Sequence, residues 1–212
     1  MIQVQNIKPE EIEAESFRII EREFASQTGR RQEDFNDREF AVLQRVIHAT
    51  GDFSFADSIK FHAKAIKSGL AAIRSGRNIY TDVTMVAAGI GRKFSSAFGG
   101  KLICRVGDED VGRLAKERGQ TRSETALALS KDDNIGIIAV GNAPTALLAV
   151  IKLVANGQIS PDLIVGVPVG FVNAAESKEL LLQQDFPYIT VLGRRGGSPV
   201  AAAIINALLK LA

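Results

Sequence analysis

Ile135-Gly136-Ile137-Ile138-Ala139-Val140-Gly141-Asn142-Ala143-Pro144-Thr145 decides how the rest of the chain is read. Residues 135–140 form a continuous apolar run, the pattern of a strand covered on both faces in a parallel sheet. Gly141 and Asn142 interrupt it, and Pro144 then stands where a helix begins, because proline suits the first helical turn and disrupts later ones. The apolar character resumes through Ile151, so Ile135 to Ile151 approaches the shortest length for a membrane helix. The glycine, asparagine and proline break that reading and leave a buried strand, a loop and a helix over Ala143 to Ala155.

The same unit recurs on both sides. Strands are predicted at Asn78 to Thr81, Lys101 to Val106, Leu163 to Val167 and Tyr188 to Leu192. Helices are predicted from about Asp82, from Asp108 to Arg118, over Thr121 to Leu129, over Asn173 to Gln183 and over Pro199 to Leu211. Five strands alternating with helices imply a mainly parallel sheet with right-handed crossovers, layered α/β/α. Three helices precede it. Lys8 to Phe24 aligns Phe17, Ile20 and Phe24, and Asp37 to His48 aligns Phe40, Leu43 and Ile47 before Gly51 stops it. Asp57 to Ser75 reads as the third, closed by Gly76. There is no linker, internal repeat or low-complexity tract, so residues 1–212 read as a single domain.

Composition narrows the function. The chain has 212 residues, 46% apolar and 24% charged, with a formal charge of +2. That is enough for one sizeable core, and too small and dispersed a charge for a nucleic-acid protein. Met1 to Glu15 is polar and acidic, not a signal peptide. With no membrane span either, a soluble cytoplasmic protein is expected. Cys104 is the single cysteine and reads as a buried strand thiol. No clustered metal ligands, Walker loop or dinucleotide fingerprint occurs, so neither a metal nor a nucleotide cofactor is expected.

In an open parallel sheet the loops after the strands share one edge, where ligands bind. Thr81-Asp82 ends one strand, and Asp82 reads equally as an N-cap or as a ligand-orienting group. The 141–145 loop sets Asn142 and Thr145 at a helix start whose free N–H groups accept a carboxylate or phosphate. Gly193-Arg194-Arg195-Gly196-Gly197-Ser198-Pro199 joins two arginines to a turn, with Ser198 as the expected N-cap and Pro199 behind it. Arginine grips anions through a planar fork, so Arg194 and Arg195 read as anion contacts. Arg122, before another helical run, is a second candidate. Asn173 and Glu176 read as a local capping box. His48 ends a helix, where the dipole favours the charged imidazole and makes it a candidate proton donor. His62 reads as a solvated or partly buried side chain.

Taken in order, these segments resemble the precorrin-8X methylmutase family of cobalamin biosynthesis. The resemblance rests on Arg45-Val46-Ile47-His48-Ala49-Thr50-Gly51-Asp52, Thr81-Asp82-Val83-Thr84-Met85-Val86-Ala87-Ala88-Gly89-Ile90 and Gly141-Asn142-Ala143-Pro144-Thr145-Ala146-Leu147. It continues through Gly166-Val167-Pro168-Val169-Gly170-Phe171-Val172-Asn173-Ala174-Ala175-Glu176-Ser177-Lys178 and the Gly193 to Ser198 loop.

The resemblance implies a flavodoxin-like fold and an isomerase that moves a methyl group from C11 to C12 of a corrin precursor, with no added cofactor. The product is hydrogenobyrinic acid, or cobyrinic acid in the cobalt-bearing route. It also implies that His48 protonates the macrocycle and that the protein is a homodimer with its site near the interface. The tetrapyrrole is a flat apolar ring edged with carboxylates, which Arg122, Arg194, Arg195 and the helix N-termini would neutralise. Val169 and Phe171 would cover the ring. Where this chain has Thr81, a cysteine is more usual in the family. A carrier that binds tetrapyrrole without chemistry is the alternative reading. A phosphosugar or nucleotide enzyme on the same fold is a weaker one.

Overall fold

The computed structural model describes residues 7–91 and 94–212. Part of the polar stretch Met1 to Glu15 therefore lies outside the described residues. A 3-10 turn (Pro9–Glu11) leads into α1 (Ile12–Thr28), and a second (Gln32–Asp34) into α2 (Asp37–Thr50). Then come α3 (Phe55–Ser58), β1 (Ile59–Phe61), α4 (Ala65–Arg74), β2 (Asn78–Thr81), α5 (Thr84–Gly89) and α6 (Phe94–Phe98). The chain continues with β3 (Leu102–Ile103), α7 (Glu109–Arg118), α8 (Arg122–Leu129), β4 (Ile135–Val140) and α9 (Pro144–Ala155). It ends with β5 (Leu163–Gly166), α10 (Ala174–Leu182), β6 (Tyr188–Val191) and α11 (Ser198–Leu211).

The sheet has six strands in the order β1-β6-β5-β4-β2-β3, rather than the expected five. β1 is the addition, pairing antiparallel with β6 so that Ile59 faces Val191 and Phe61 faces Ile189. The helix expected over Asp57 to Ser75 is therefore divided. Without β1, the outer N–H and C=O groups of β6 would be an open edge. The strand expected at Lys101 to Val106 shortens to Leu102–Ile103 and leaves Cys104, half-buried, beyond its end.

Side chains alternate across the sheet, as a two-residue period requires. Ile79, Ile137, Ala139, Val165 and Ile189 pack with α4, α5 and α11, while Tyr80, Ile138, Val140, Ile164 and Tyr188 pack with α8, α9 and α10. This is a three-layer α/β/α arrangement. α2 lies against the outside of α11, and Val42, Leu43, Val46 and Ile47 are buried there.

Both ends of α2 are fixed locally. The Asn36 side chain accepts from the N–H groups of Arg38 and Glu39 at its start, and Gly51 closes it at φ +66°. Only a residue without a Cβ takes that left-handed geometry freely. His48 is thereby held in the last turn.

Candidate active site

Among the five parallel strands the order reverses between β2 and β4, the point where doubly wound sheets open a crevice. Here the crevice is filled by Asp82. The residue is fully buried. Its Oδ1 accepts from Gly141 N–H at 2.9 Å, and its Oδ2 accepts from Asn142 and Ala143 N–H, each at 2.8 Å. Burial pushes the Asp82 carboxyl up from its ordinary pKa, and the three N–H bonds pull against that shift. Of the two readings of Asp82, the local N-cap is corrected, since Val83 is the N-cap of α5 and Asp82 binds the N–H groups of the turn after β4 instead. Gly141 is required at this contact. A Cβ there would lie 2.9 Å from the Ser198 Cα and 2.7 Å from Val86.

The loops after β5 and β6 are stitched together. Gly197 N–H donates to the Val167 carbonyl at 2.8 Å, and Gly170 N–H to the Arg194 carbonyl at 3.2 Å. Lys178, on α10 and fully buried, donates from Nζ to the Arg195 carbonyl at 2.6 Å. Burial alone pulls the Lys178 ammonium down to a pKa of about 8. Gly196 allows the close approach, because a Cβ would stand 2.3 Å from the Val167 oxygen. Asn173, exposed at the start of α10, sits at φ +60° with no side-chain cap, so the expected capping box is absent.

Arg195 reaches sideways. Its Nη1 donates to Asp52 Oδ2 at 2.6 Å and to Ser54 Oγ. Both acceptors lie just beyond α2, a few residues after His48. Arg194 instead lies over the Phe171 ring, 5.2 Å from its centroid. Phe171 is 82% exposed and Val172 77%, a pronounced apolar surface beside a cation.

His48 is exposed. Its ring stands nearly perpendicular to that of Phe17, with centroids 5.3 Å apart, and among the described residues neither ring nitrogen has a hydrogen-bond partner. It lines a groove of about 250 Å³ between α2, α5 and α11, together with Arg45, Gly89, Pro199, Ala202 and Asn206. Pro199 belongs to the first turn of α11, directly after the arginine loop. The start of α11 thus brings His48 and Arg195 to one neighbourhood.

The other expected site residues are placed as follows. Ser198 is buried and is the first residue of α11 behind the N-cap Gly197, not the cap itself. Asn142 is exposed and Thr145 half-buried at the start of α9. Arg122 stands apart, in a cleft of about 570 Å³ lined by residues from Gly107 to Glu117. No residue of the loops after β4, β5 or β6 lines that cleft. His62 accepts from Lys64 N–H through Nδ1 at 3.2 Å. Reading the sequence for chemistry missed Lys178, Asp52 and Ser54; a lysine within Ala174-Ala175-Glu176-Ser177-Lys178 carries no local sign of burial. Among the described residues no group of three or more His, Cys, Asp or Glu gathers, and no helix is long and apolar enough to cross a membrane.

Residues 11–211 match the family described as Precorrin-8X methylmutase. The cobalt-precorrin-8 methylmutase of Priestia megaterium is 41% identical, over 97% of this chain and 89% of its own length. The precorrin-8X methylmutase of Pseudomonas aeruginosa is 44% identical, over 77% of this chain and 80% of its own. The crystal structure of precorrin-8X methyl mutase from Thermus thermophilus superposes with a TM-score of 0.85 at 36% identity, covering 95% of each chain. With the family matched along almost the whole sequence and the same fold in a solved relative, this chain belongs to the precorrin-8X methylmutases, isomerases of cobalamin biosynthesis.

Proposed function

We propose that the chain moves a methyl group from C11 to C12 of precorrin-8X or its cobalt-bearing counterpart, giving hydrogenobyrinic acid or cobyrinic acid, with His48 as proton donor. The observation that carries this reading is the state of His48, exposed over a groove with both ring nitrogens unengaged among the described residues. A general acid must reach its acceptor directly. In a sigmatropic shift the carbon–C11 bond breaks as the bond to C12 forms, and the proton lent to the ring returns to His48 afterwards, so one acid and a fitted pocket suffice.

The acid side chains of the substrate would meet Arg194, Arg195 and the N–H groups around Ser198, with Asn142 and Thr145 at the start of α9. Arg122, in its separate cleft, would meet only a peripheral carboxylate. Asp82 serves by shaping the Gly141–Ala143 turn, since both its oxygens are engaged there. Phe171, Val172 and Val169 offer the apolar cover that a flat ring needs. The order of the five parallel strands supports a flavodoxin-like ancestry with β1 added. Residues 1–212 would act as one domain and as a homodimer in the cytoplasm.

The experiment is turnover followed by absorbance, because methyl migration changes the ring's conjugation and mere sequestration leaves it intact. The wild type should convert precorrin-8X. A protein that binds it with an unchanging ring spectrum is a carrier.

A further inference from the structure

The peptide planes of the loop after β6 are pinned in one orientation. The Arg194 carbonyl accepts from Gly170 N–H, and the Arg195 carbonyl from Lys178 Nζ. Both donors belong to the segment that follows β5, so both carbonyls face it. No peptide bond in the described residues is cis. In a trans peptide the N–H points opposite to the C=O of the same plane. The N–H groups of Arg195 and Gly196 share these two planes and therefore point away from the β5 side. Neither has a hydrogen-bond partner among the described residues, with Arg195 exposed and Gly196 half-buried. Adjacent backbone N–H groups aimed alike make an anion-binding concavity.

Behind them lies an unbalanced charge. Lys178 is fully buried, and its Nζ meets a carbonyl and no carboxylate among the described residues. Burying an ammonium without a counter-charge is unfavourable. A cation bonded to a carbonyl draws electron density through the peptide and strengthens the N–H on its far side. An anion seated at those N–H groups would supply the missing counter-charge.

We propose that Lys178 is a positioning residue for substrate binding: through the Arg195 carbonyl it aims and polarises the Arg195 and Gly196 N–H groups as a seat for one carboxylate of the tetrapyrrole. This rests on the reading of the loop as the place where the substrate's acid side chains bind. The seat has donors only, so it distinguishes an ionised acid from an amide, whose NH₂ brings a competing donor.

The test titrates hydrogenobyrinic acid, by absorbance, into the wild type, Lys178→Met and Arg194→Ala, and repeats the titrations with ligands amidated at individual acid side chains. Circular dichroism checks the fold. Lys178→Met should bind the acid roughly tenfold more weakly, the size of one lost charge-assisted contact. In steady-state turnover of precorrin-8X the loss should appear in KM more than in kcat, and in the titrations it should vanish for the ligand amidated at the seated side chain. If Arg194→Ala weakens binding while Lys178→Met does not, the loop takes the ligand and the role of Lys178 is overturned. If neither weakens it, the reading of the loop fails and this inference with it. Should the methionine variant not fold, Lys178→Gln keeps a donor without the charge. Lost discrimination between acid and amide then supports the seat, and retained discrimination overturns it.

Discussion

Arg195 donates to Asp52 Oδ2 at 2.6 Å, which ties the loop after β6 to the turn that closes the helix bearing His48. Burial would raise the Asp52 carboxyl, but hydrogen bonds from Ser54 and the Arg195 guanidinium outweigh it and hold the carboxyl below its ordinary 3.8. A depressed carboxyl contributes stability above that ordinary value and loses it as pH falls through the folded one. Both partners are well exposed, so the stability effect of Asp52→Asn should stay within about 1 kcal/mol. Its effect on kcat/KM should be larger, about tenfold, because Arg195 is released from its place beside the His48 groove. Steady-state kinetics with a urea melt checks this; wild-type kcat/KM in the variant would show that the tie is idle.

Asp82→Ala removes one carboxylate and strands three N–H groups on a turn that is buried at Gly141 and half-buried at Ala143. Unsatisfied buried donors are costly, and the loss should be about 3 kcal/mol or more in denaturant unfolding. A loss below about 1 kcal/mol would mean that the turn holds without its anchor.

Two glycines of the arginine loop should respond differently to alanine. At Gly196, φ is +143° and a Cβ would meet the Val167 carbonyl at 2.3 Å, so backbone must move. At Gly193, φ is +74° with nothing within 4 Å, leaving only the left-handed penalty of roughly 1–2 kcal/mol. Gly196→Ala should therefore destabilise more and weaken tetrapyrrole binding as well. Equal effects in thermal unfolding would refute the stitched geometry.

Lys178 should leave a signature in pH-dependent stability. Its pKa falls from 10.5 to about 8 on folding. Between those values the unfolded chain holds more protons than the folded one, so stability rises with pH there. The wild type should gain on Lys178→Met as pH climbs from about 8 to 10.5, by up to roughly 3 kcal/mol. A constant difference across that window would place the ammonium in water.

What the sequence revealed and what it hid follow from the range of the interactions. Residues 135–140 declare a buried strand by composition alone, and Pro144 marks its helix. His48 is legible because a helix end is a local event. β1 is not legible: Ile59, Lys60 and Phe61 continue a helical pattern without a breaker, and only the open edge of β6 makes them a strand. Asp82 looks like a cap for the next helix, yet its partners lie about sixty residues further along the chain. Lys178 is hidden most completely. A lysine's burial depends on what folds over it, and here that is a loop from another crossover.

The central claim is that His48 supplies the proton for the methyl shift, and single-turnover absorbance with His48→Ala tests it most directly. His48 is exposed, so the variant should fold and bind precorrin-8X close to wild-type affinity. Its rate of ring conversion should fall by about a hundredfold or more, as loss of a general acid requires. Conversion at the wild-type rate by the folded, substrate-loaded variant would contradict the assignment of His48 as the acid.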